Sequence, residues 1–152
     1  MIEAVIFTAE KFKFPFNGIT KAKVLSLLKK TLKALKLDNV SVTLIAGDNS
    51  YIHSINKKYR NKDYATDVIS FAYRDNPFPT TIPEGQMEVL GDVYLSMERA
   101  LEQSIEIGHS LEDEIARLIV HAVLHLIGFD HEKSKEDEIE MQKKEDEILN
   151  II

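Results

Sequence analysis

The segment "SLEDEIARLIVHAVLHLIGFDH" at residues 110–131 organises our prediction of the fold and of the functional site. Its apolar residues recur at helical spacing, and Ser110 followed by Asp113 resembles a capping box with aspartate in place of glutamate. The pattern predicts a helix to about Ile127, and Gly128 is well suited to ending it. Three histidines lie near the end of this apolar run, where packing would favour leucine. Their presence therefore indicates chemistry rather than core packing.

The segments around this helix alternate between strand and helix patterns. We predict strands at residues 2–7, 40–46, 67–73 and 88–96, and helices at about 20–36, 48–60, 97–107, 110–127 and 134–150. The proline-rich segment 74–86 is predicted to be a mobile loop. In the last helix the residues predicted to dock are Ile139, Met141, Ile148 and Leu149. The predicted fold is a single α+β domain over residues 1–152, an α/β layer fold in which about five helices cover a mixed sheet of about four strands.

Composition limits the class of protein and the kind of metal site. A chain of 152 residues with 44% hydrophobic content can bury a core without disulfides. It has no cysteine, so any metal must be held by histidine and carboxylate, which excludes zinc-finger sites. The amino terminus lacks the features of a signal peptide, and no segment approaches the roughly 20 apolar residues of a membrane span. We therefore expect a cytoplasmic protein with no membrane partner.

The charge is unevenly distributed along the chain. Residues 1–62 contain twelve Lys or Arg and four Asp or Glu, a net charge of +8, whereas residues 63–152 contain seven and twenty-one, a net charge of −14. A basic face of this kind can bind a polyanion. The lysines of residues 20–37 are explained as the solvent-facing side of an amphipathic helix. The denser cluster "KKYRNK" at residues 57–62 is less easily explained in that way.

The histidine spacing is that of a metal chelate. His121 and His125 are one helical turn apart, offset by about 40° around the axis and about 6 Å along it, so both imidazoles can reach one ion. Gly128 then turns the chain back, which allows His131 to supply a third nitrogen. Three imidazoles and a water molecule form an open zinc site, and Asp130 is placed to orient an imidazole or that water. The other two histidines lack such partners and are predicted on a helix surface and in a loop: His53 and His109.

The same spacing occurs in the HExxHxxGxxH motif of metzincin peptidases. Here Ala122 occupies the position of the glutamate that acts as their general base. Loss of that carboxylate removes a contribution typically worth about 10²- to 10⁴-fold in rate. A site that keeps its ligands but lacks this base suits a phosphodiester, which needs charge stabilisation more than amine protonation. A peptidase that recruits a different base remains an alternative.

Three segments together resemble the YbeY family, the bacterial endoribonucleases and rRNA maturation factors. "HAVLHLIGFDH" (121–131) resembles the family's HGxLHLxGYDH, "INKKYRNKDYATDVISFAY" (55–73) resembles LNxxYRxxDxPTDVLSFP, and "LGDVYLS" (90–96) resembles LGDIxIS. The resemblance spans about residues 40–131. The chain departs from these motifs, without losing a ligand, at Ala65, Ala72, Ala122 and Phe129.

The resemblance implies one zinc ion held by His121, His125 and His131, with Arg60 as the essential basic residue of the active cleft. It also implies single-stranded RNA as substrate rather than DNA, processing of precursor rRNA at the 16S rRNA 3′ end, ribosome quality control, and partners in the small ribosomal subunit and its proteins.

Arg60 also stands out from the residues alone, because it ends a helix in the densest basic cluster and a guanidinium can bind a phosphate through two parallel hydrogen bonds. Without the resemblance, a cation that only complements the helix dipole explains it too. Asp67 and Asp92 also match motif positions, but burial near a strand end and a supporting role at the site are both open for them. A non-catalytic ribosome assembly factor, whose metal only holds the last helix, is the alternative function.

Overall fold

Strands and helices follow one another in the order that the sequence pattern predicts. The computed structural model describes residues 1–75, 82–130 and 134–152. Its elements are β1 (Ile2–Thr8), α1 (Lys21–Ala34), β2 (Val40–Gly47), α2 (Asn49–Arg60), β3 (Val68–Ala72), a short 3₁₀ turn (Tyr73–Asp75), β4 (Glu88–Ser96), α3 (Met97–Ile107), α4 (Leu111–Leu126) and α5 (Lys135–Ile151). The predicted boundaries differ from these by only a few residues.

The four strands form one mixed sheet in the order β1-β2-β4-β3. Strands β1, β2 and β4 are parallel, whereas β3 runs antiparallel to β4 and forms the edge next to it. In β2 the residues on one face are buried and those between them are half-buried, which is the period-two pattern of a covered sheet. The α+β fold with a four-stranded mixed sheet and five helices confirms the predicted fold class.

Helix α4 lies against the sheet and is the most buried of the described helices. Ten of its residues are buried: Glu114, Ile115, Ala116, Leu118, Ile119, Val120, Ala122, Val123, Leu124 and Leu126. Helix α5 packs on the side of α4 away from the main core, where Val120 and Leu124 contact Met141 and Ile148. None of the described helices, α4 included, is long and apolar enough to cross a membrane.

The two faces of the sheet are covered by different helices. On β4, Val93 and Leu95 belong to the core that α1 and α4 share, whereas Tyr94 points to the other face. There, helix α2 packs Ile52 and Ile55 against Ile69 of β3. Helix α2 and helix α4 therefore lie on opposite sides of β3, and their ends reach the same edge of the sheet.

Helix α5 differs from the prediction in the residues that it docks. Ile139 does not dock, since 60% of it is exposed, while Met141 and Ile148 are buried. At about 100° per residue Ile139 lies about 200° around α5 from Met141, so the two cannot face the same neighbour. The predicted mobile loop at 74–86 begins with the 3₁₀ turn, and its residues 76–81 lie outside the described residues.

Candidate active site

A cavity of about 580 Å³ opens between the end of α2, strand β3 and the second half of α4. This volume is within the range typical of ligand sites. Its walls include polar side chains from all three elements and from the segment after α2: Arg60, Lys62, Tyr64, Ser70, His121 and His125. The cavity therefore brings together Arg60 and two of the three predicted metal ligands. Arg60 precedes both histidines by more than 60 positions in the sequence.

The end of α4 is built by local interactions. The side chain of Ser110 caps the helix by accepting a hydrogen bond of 3.0 Å from the Asp113 amide, as predicted. At the other end, Gly128 has a φ of +107°. The amide of Gly128 donates to the carbonyl of His125 and the amide of Phe129 donates to that of Leu124, which is the paired hydrogen bonding of a Schellman motif. This turn directs the chain after the helix towards the cavity, where Gly128, Phe129 and Asp130 line the wall.

The imidazoles of His121 and His125 meet at a separation that a shared ion allows. Their Nε2 atoms are 3.2 Å apart, and the ring planes are inclined at 76°. Two nitrogens that share a tetrahedral zinc ion, each at about 2.0 Å, lie about 3.3 Å apart. The histidine pair therefore fits zinc as two of its ligands.

The third predicted ligand, His131, lies outside the described residues. Within residues 1–75, 82–130 and 134–152, no three histidine or carboxylate side chains are arranged to hold a metal. The described part of the chain thus supplies two nitrogens of the predicted site. The assignment of His131 stays a prediction.

Glu145 is a functional candidate that we did not predict from the sequence. Glu145 is 5% exposed, and its carboxylate accepts a hydrogen bond from Nδ1 of His121. With the proton on Nδ1, the lone pair of His121 lies on Nε2, on the side that faces His125, where a metal would bind. The sequence does contain a sign of this role. Glu145 lies on the same face of α5 as the buried residues Met141 and Ile148, where an apolar side chain would be expected. A buried charge on an apolar helix face needs a partner, and His121 is that partner.

Replacement of Glu145 by leucine is expected to weaken zinc binding by about 10- to 100-fold, because such carboxylates orient the ligand imidazole and raise its basicity. Competition with a chromophoric chelator measures this affinity directly. The matched control is Glu147→Leu, since Glu147 lies on the same helix with 57% of its side chain exposed and pairs with Lys144. Equal zinc affinity in both variants would show that Glu145 only helps to pack α5.

Arg60 is the last residue of α2, and its side chain lines the cavity. Asp48 caps the first turn of this helix by accepting from the Tyr51 amide at 2.8 Å. At the other end Asn61 is in the left-handed conformation with a φ of 54°, which ends the helix immediately after Arg60. None of the described residues accepts a hydrogen bond from the side chain of Arg60, so its guanidinium is available to an anionic ligand in the cavity.

A second arginine reaches the cavity from α4. Arg117 lies one turn before His121, and its Nε donates to Glu114 at 2.9 Å. Glu114 is fully buried and also contacts Nε2 of His109 at 2.7 Å. The hydrogen bond with Glu114 raises the pKa of the Arg117 guanidinium above its usual range, so it stays cationic. We predicted His109 only as a loop residue, and its contact with a buried carboxylate is an additional role.

The remaining residues that the motifs single out make structural contacts. Both carboxylate oxygens of Asp67 accept hydrogen bonds, from the Val68 amide at 2.7 Å and from Gln103 at 3.2 Å. Asp92 accepts from the Tyr73 hydroxyl at 3.0 Å. His53 lies on the surface of α2, as predicted, and pairs with exposed Asp63. These contacts hold both aspartates at the sheet edge, and Asp67 also lines the cavity, so a supporting role at the site stays open for it.

Comparison with known proteins identifies the family. The family model described as "Endoribonuclease YbeY" matches residues 8–152. The chain belongs to the YbeY endoribonuclease family. A protein of Aquifex aeolicus named Endoribonuclease YbeY is 40% identical over 138 residues, which covers 91% of this chain and 87% of that protein. A protein of the same name from Clostridioides difficile is 47% identical over 113 residues, covering 74% and 72% of the two chains.

The fold is also similar to a solved structure. A protein of Thermotoga maritima whose structure was determined in solution superposes with a TM-score of 0.57 at 25% sequence identity. The match covers 99% of this chain and 90% of that one. This likeness supports the α+β architecture, and the family model confirms the resemblance noted in the three sequence motifs.

Proposed function

We propose that this chain is a zinc-dependent endoribonuclease specific for single-stranded RNA, acting in the cytoplasm on precursor rRNA. Its proposed roles are maturation of the 16S rRNA 3′ end and ribosome quality control, with the small ribosomal subunit and its proteins as partners. The observation that carries the proposal is that one cavity is lined by Arg60 and by a histidine pair spaced for a shared ion, in a chain of this family.

Each residue has a distinct part in the proposed reaction. His121, His125 and His131 hold the zinc ion, and Glu145 orients His121. When bound, zinc supplies a Lewis acid that neutralises charge on a phosphoryl oxygen and activates a nucleophile. Arg60 stabilises the negative charge that develops on the phosphoryl oxygens in the transition state. Lys62 adds a second cation beside Arg60 on the cavity wall, whereas the charge of Arg117 is balanced by Glu114. Carboxylates also line the cavity: Asp67, Asp75 and Asp130. Phosphate binding is therefore assigned to Arg60 and Lys62.

The deciding experiment compares wild type and Arg60→Ala on a labelled single-stranded RNA that contains the 3′ region of precursor 16S rRNA, with zinc counted in both proteins. We expect about one zinc per chain in each, and turnover lower by about 10²- to 10³-fold in the variant, because a charge-stabilising donor is lost. Arg99→Ala is the matched control, since Arg99 pairs with Glu102 on α3 and does not line the cavity. A wild-type protein that carries zinc but cuts no RNA overturns the proposal, and loss of zinc in Arg60→Ala overturns the role of Arg60.

The assembly-factor alternative draws support from one contact, the hydrogen bond that joins Glu145 of α5 to His121 of α4. Through it a metal on His121 would also fix the last helix. Removal of zinc by a chelator separates the two functions. A purely structural metal should lower the unfolding temperature and release α5, whereas a catalytic metal should leave the sheet folded while RNA cleavage stops. Cleavage of a peptide but not of RNA by the zinc-loaded protein would instead favour a peptidase.

A further inference from the structure

Tyr64 is an exposed aromatic residue among those that line the cavity. Tyr64 is 53% exposed and lines the cavity together with Arg60 and Lys62. An exposed tyrosine ring presents an apolar face that another flat ring can cover. The YbeY motif places no specified residue at this position, so the ring is a property of this chain rather than of the motif.

The backbone that carries this ring is held against helix α2. The amide of Lys62 donates to the carbonyl of Asn56 at 3.2 Å, and the amide of Asn61 donates to the same carbonyl. The side chain of Asn56, which is fully buried, donates from Nδ2 to the carbonyl of Tyr64 at 2.9 Å. The segment from the end of α2 to Tyr64 is thus fixed to the helix that carries Arg60. An exposed ring on a fixed backbone is a pre-organised contact surface.

Other exposed tyrosines of the region are engaged in contacts. The ring of Tyr59 meets Phe71 edge-on, with centroids 6.0 Å apart, and Lys58 lies over it at 5.2 Å. The hydroxyl of Tyr73 donates to Asp92. By contrast, no other aromatic ring in the described parts of the chain packs against Tyr64. Packing and hydrogen bonding explain Tyr59 and Tyr73 but leave the position of Tyr64 unexplained.

We propose that Tyr64 stacks on a base of the RNA strand whose phosphate binds Arg60, and that this contact selects single-stranded RNA. The proposal rests on the proposed function for the presence of RNA in the cavity. A single strand exposes unpaired bases along its phosphate backbone. Proteins bind such strands by stacking aromatic rings on the bases and placing cations near the phosphates. In a duplex the bases are stacked on one another and cannot cover the ring, so only an unpaired base makes this contact.

The first test measures affinity by rapid-mixing fluorescence anisotropy, so that binding is recorded before cleavage. Loss of one stacked base predicts about 10-fold weaker binding of a labelled single-stranded RNA by Tyr64→Ala. Binding by Tyr64→Phe should match wild type, because stacking needs the ring and not the hydroxyl. Affinity for the same sequence annealed to its complement and the zinc content should not change. Equal single-strand affinity of wild type and Tyr64→Ala, or an equal loss for the duplex, overturns the proposal.

The second test uses the absence of tryptophan from the chain. Tyr64→Trp introduces a single indole, whose fluorescence should be quenched when a base stacks on it. A series of RNAs is then tested, each with one abasic nucleotide at a different position. The fluorescence should be restored for only one of these positions, where the stacking base is missing. Tyr59→Trp is the control, since Tyr59 is 57% exposed on α2 but does not line the cavity, and its signal should stay nearly constant. Equal quenching at both positions overturns stacking at Tyr64.

The outcomes separate this inference from the proposed function. A wild-type protein that binds single-stranded RNA through Tyr64 but cuts none refutes the catalytic proposal and leaves the stacking contact intact. A protein that cuts single-stranded RNA with the same affinity and rate after Tyr64→Ala refutes the stacking contact and leaves the catalytic proposal intact. A wild-type protein that binds no single-stranded RNA refutes both.

Discussion

Replacing His121 with alanine is expected to remove bound zinc and RNA cleavage together. Its Nε2 is 3.2 Å from that of His125, and its Nδ1 is held by Glu145, so the substitution removes both a ligand and the group that Glu145 orients. Loss of an orienting carboxylate alone costs about 10- to 100-fold in affinity or activity, and loss of the ligand itself should exceed that range. We expect about one zinc per chain in wild type, almost none in the variant, and cleavage lower by more than about 100-fold.

The experiment needs a check on folding, because Glu145 is buried and loses its donor in the variant. Far-ultraviolet circular dichroism and thermal unfolding of both proteins provide it. His53→Ala is the matched control, since His53 lies on the α2 surface with 43% of its side chain exposed. If His121→Ala retains both zinc and cleavage, the histidine pair is not the metal centre. If it loses zinc but cleaves normally, the metal is not catalytic.

Gly91→Ala is expected to destabilise the fold strongly, by about 4 kcal/mol in the free energy of unfolding. Gly91 has a φ of +151°, which L side chains rarely adopt. A Cβ there would lie 2.0 Å from the carbonyl oxygen of Phe71 on β3 and 2.8 Å from Leu126 Cδ2 on α4. Neither the paired strand nor the buried helix can move without disturbing the sheet edge that carries the cavity. The change would also shift the end of α4 next to His125.

Urea unfolding compares Gly91→Ala with Gly85→Ala, whose glycine also has a positive φ but has no close neighbours among the described residues. Gly85 has a φ of +82°, but a Cβ added there would meet no atom within 4 Å, so its replacement costs only the conformational strain, about 1 kcal/mol. The remaining difference between the two variants combines the close approach of β4 to β3 and α4 with the greater backbone strain at a φ of +151°. If the two substitutions cost the same, the sheet and helix yield more readily than the distances indicate.

Much of the fold was predictable because it depends on interactions between residues close in sequence. The caps at Asp48 and Ser110 and the turn at Gly128 each involve bonds within about five positions, and side-chain periodicity marks the buried face of each element. The same locality explains why His121 and His125 could be paired in advance. One helical turn sets their separation, and the distance of 3.2 Å between their Nε2 atoms agrees with that expectation.

The sequence by itself determined the element types, the helix ends and the His121–His125 pair, because these depend on backbone geometry over a few residues. The tertiary structure alone decided the strand order and which distant groups share the cavity. It placed Arg60 in the same cavity as the histidines, joined Glu145 to His121 across 24 positions, and turned Ile139 outwards. The physical reason is that packing between elements depends on how each helix is rotated about its axis. The apolar face of a helix is wide, so a periodic pattern does not define that rotation closely.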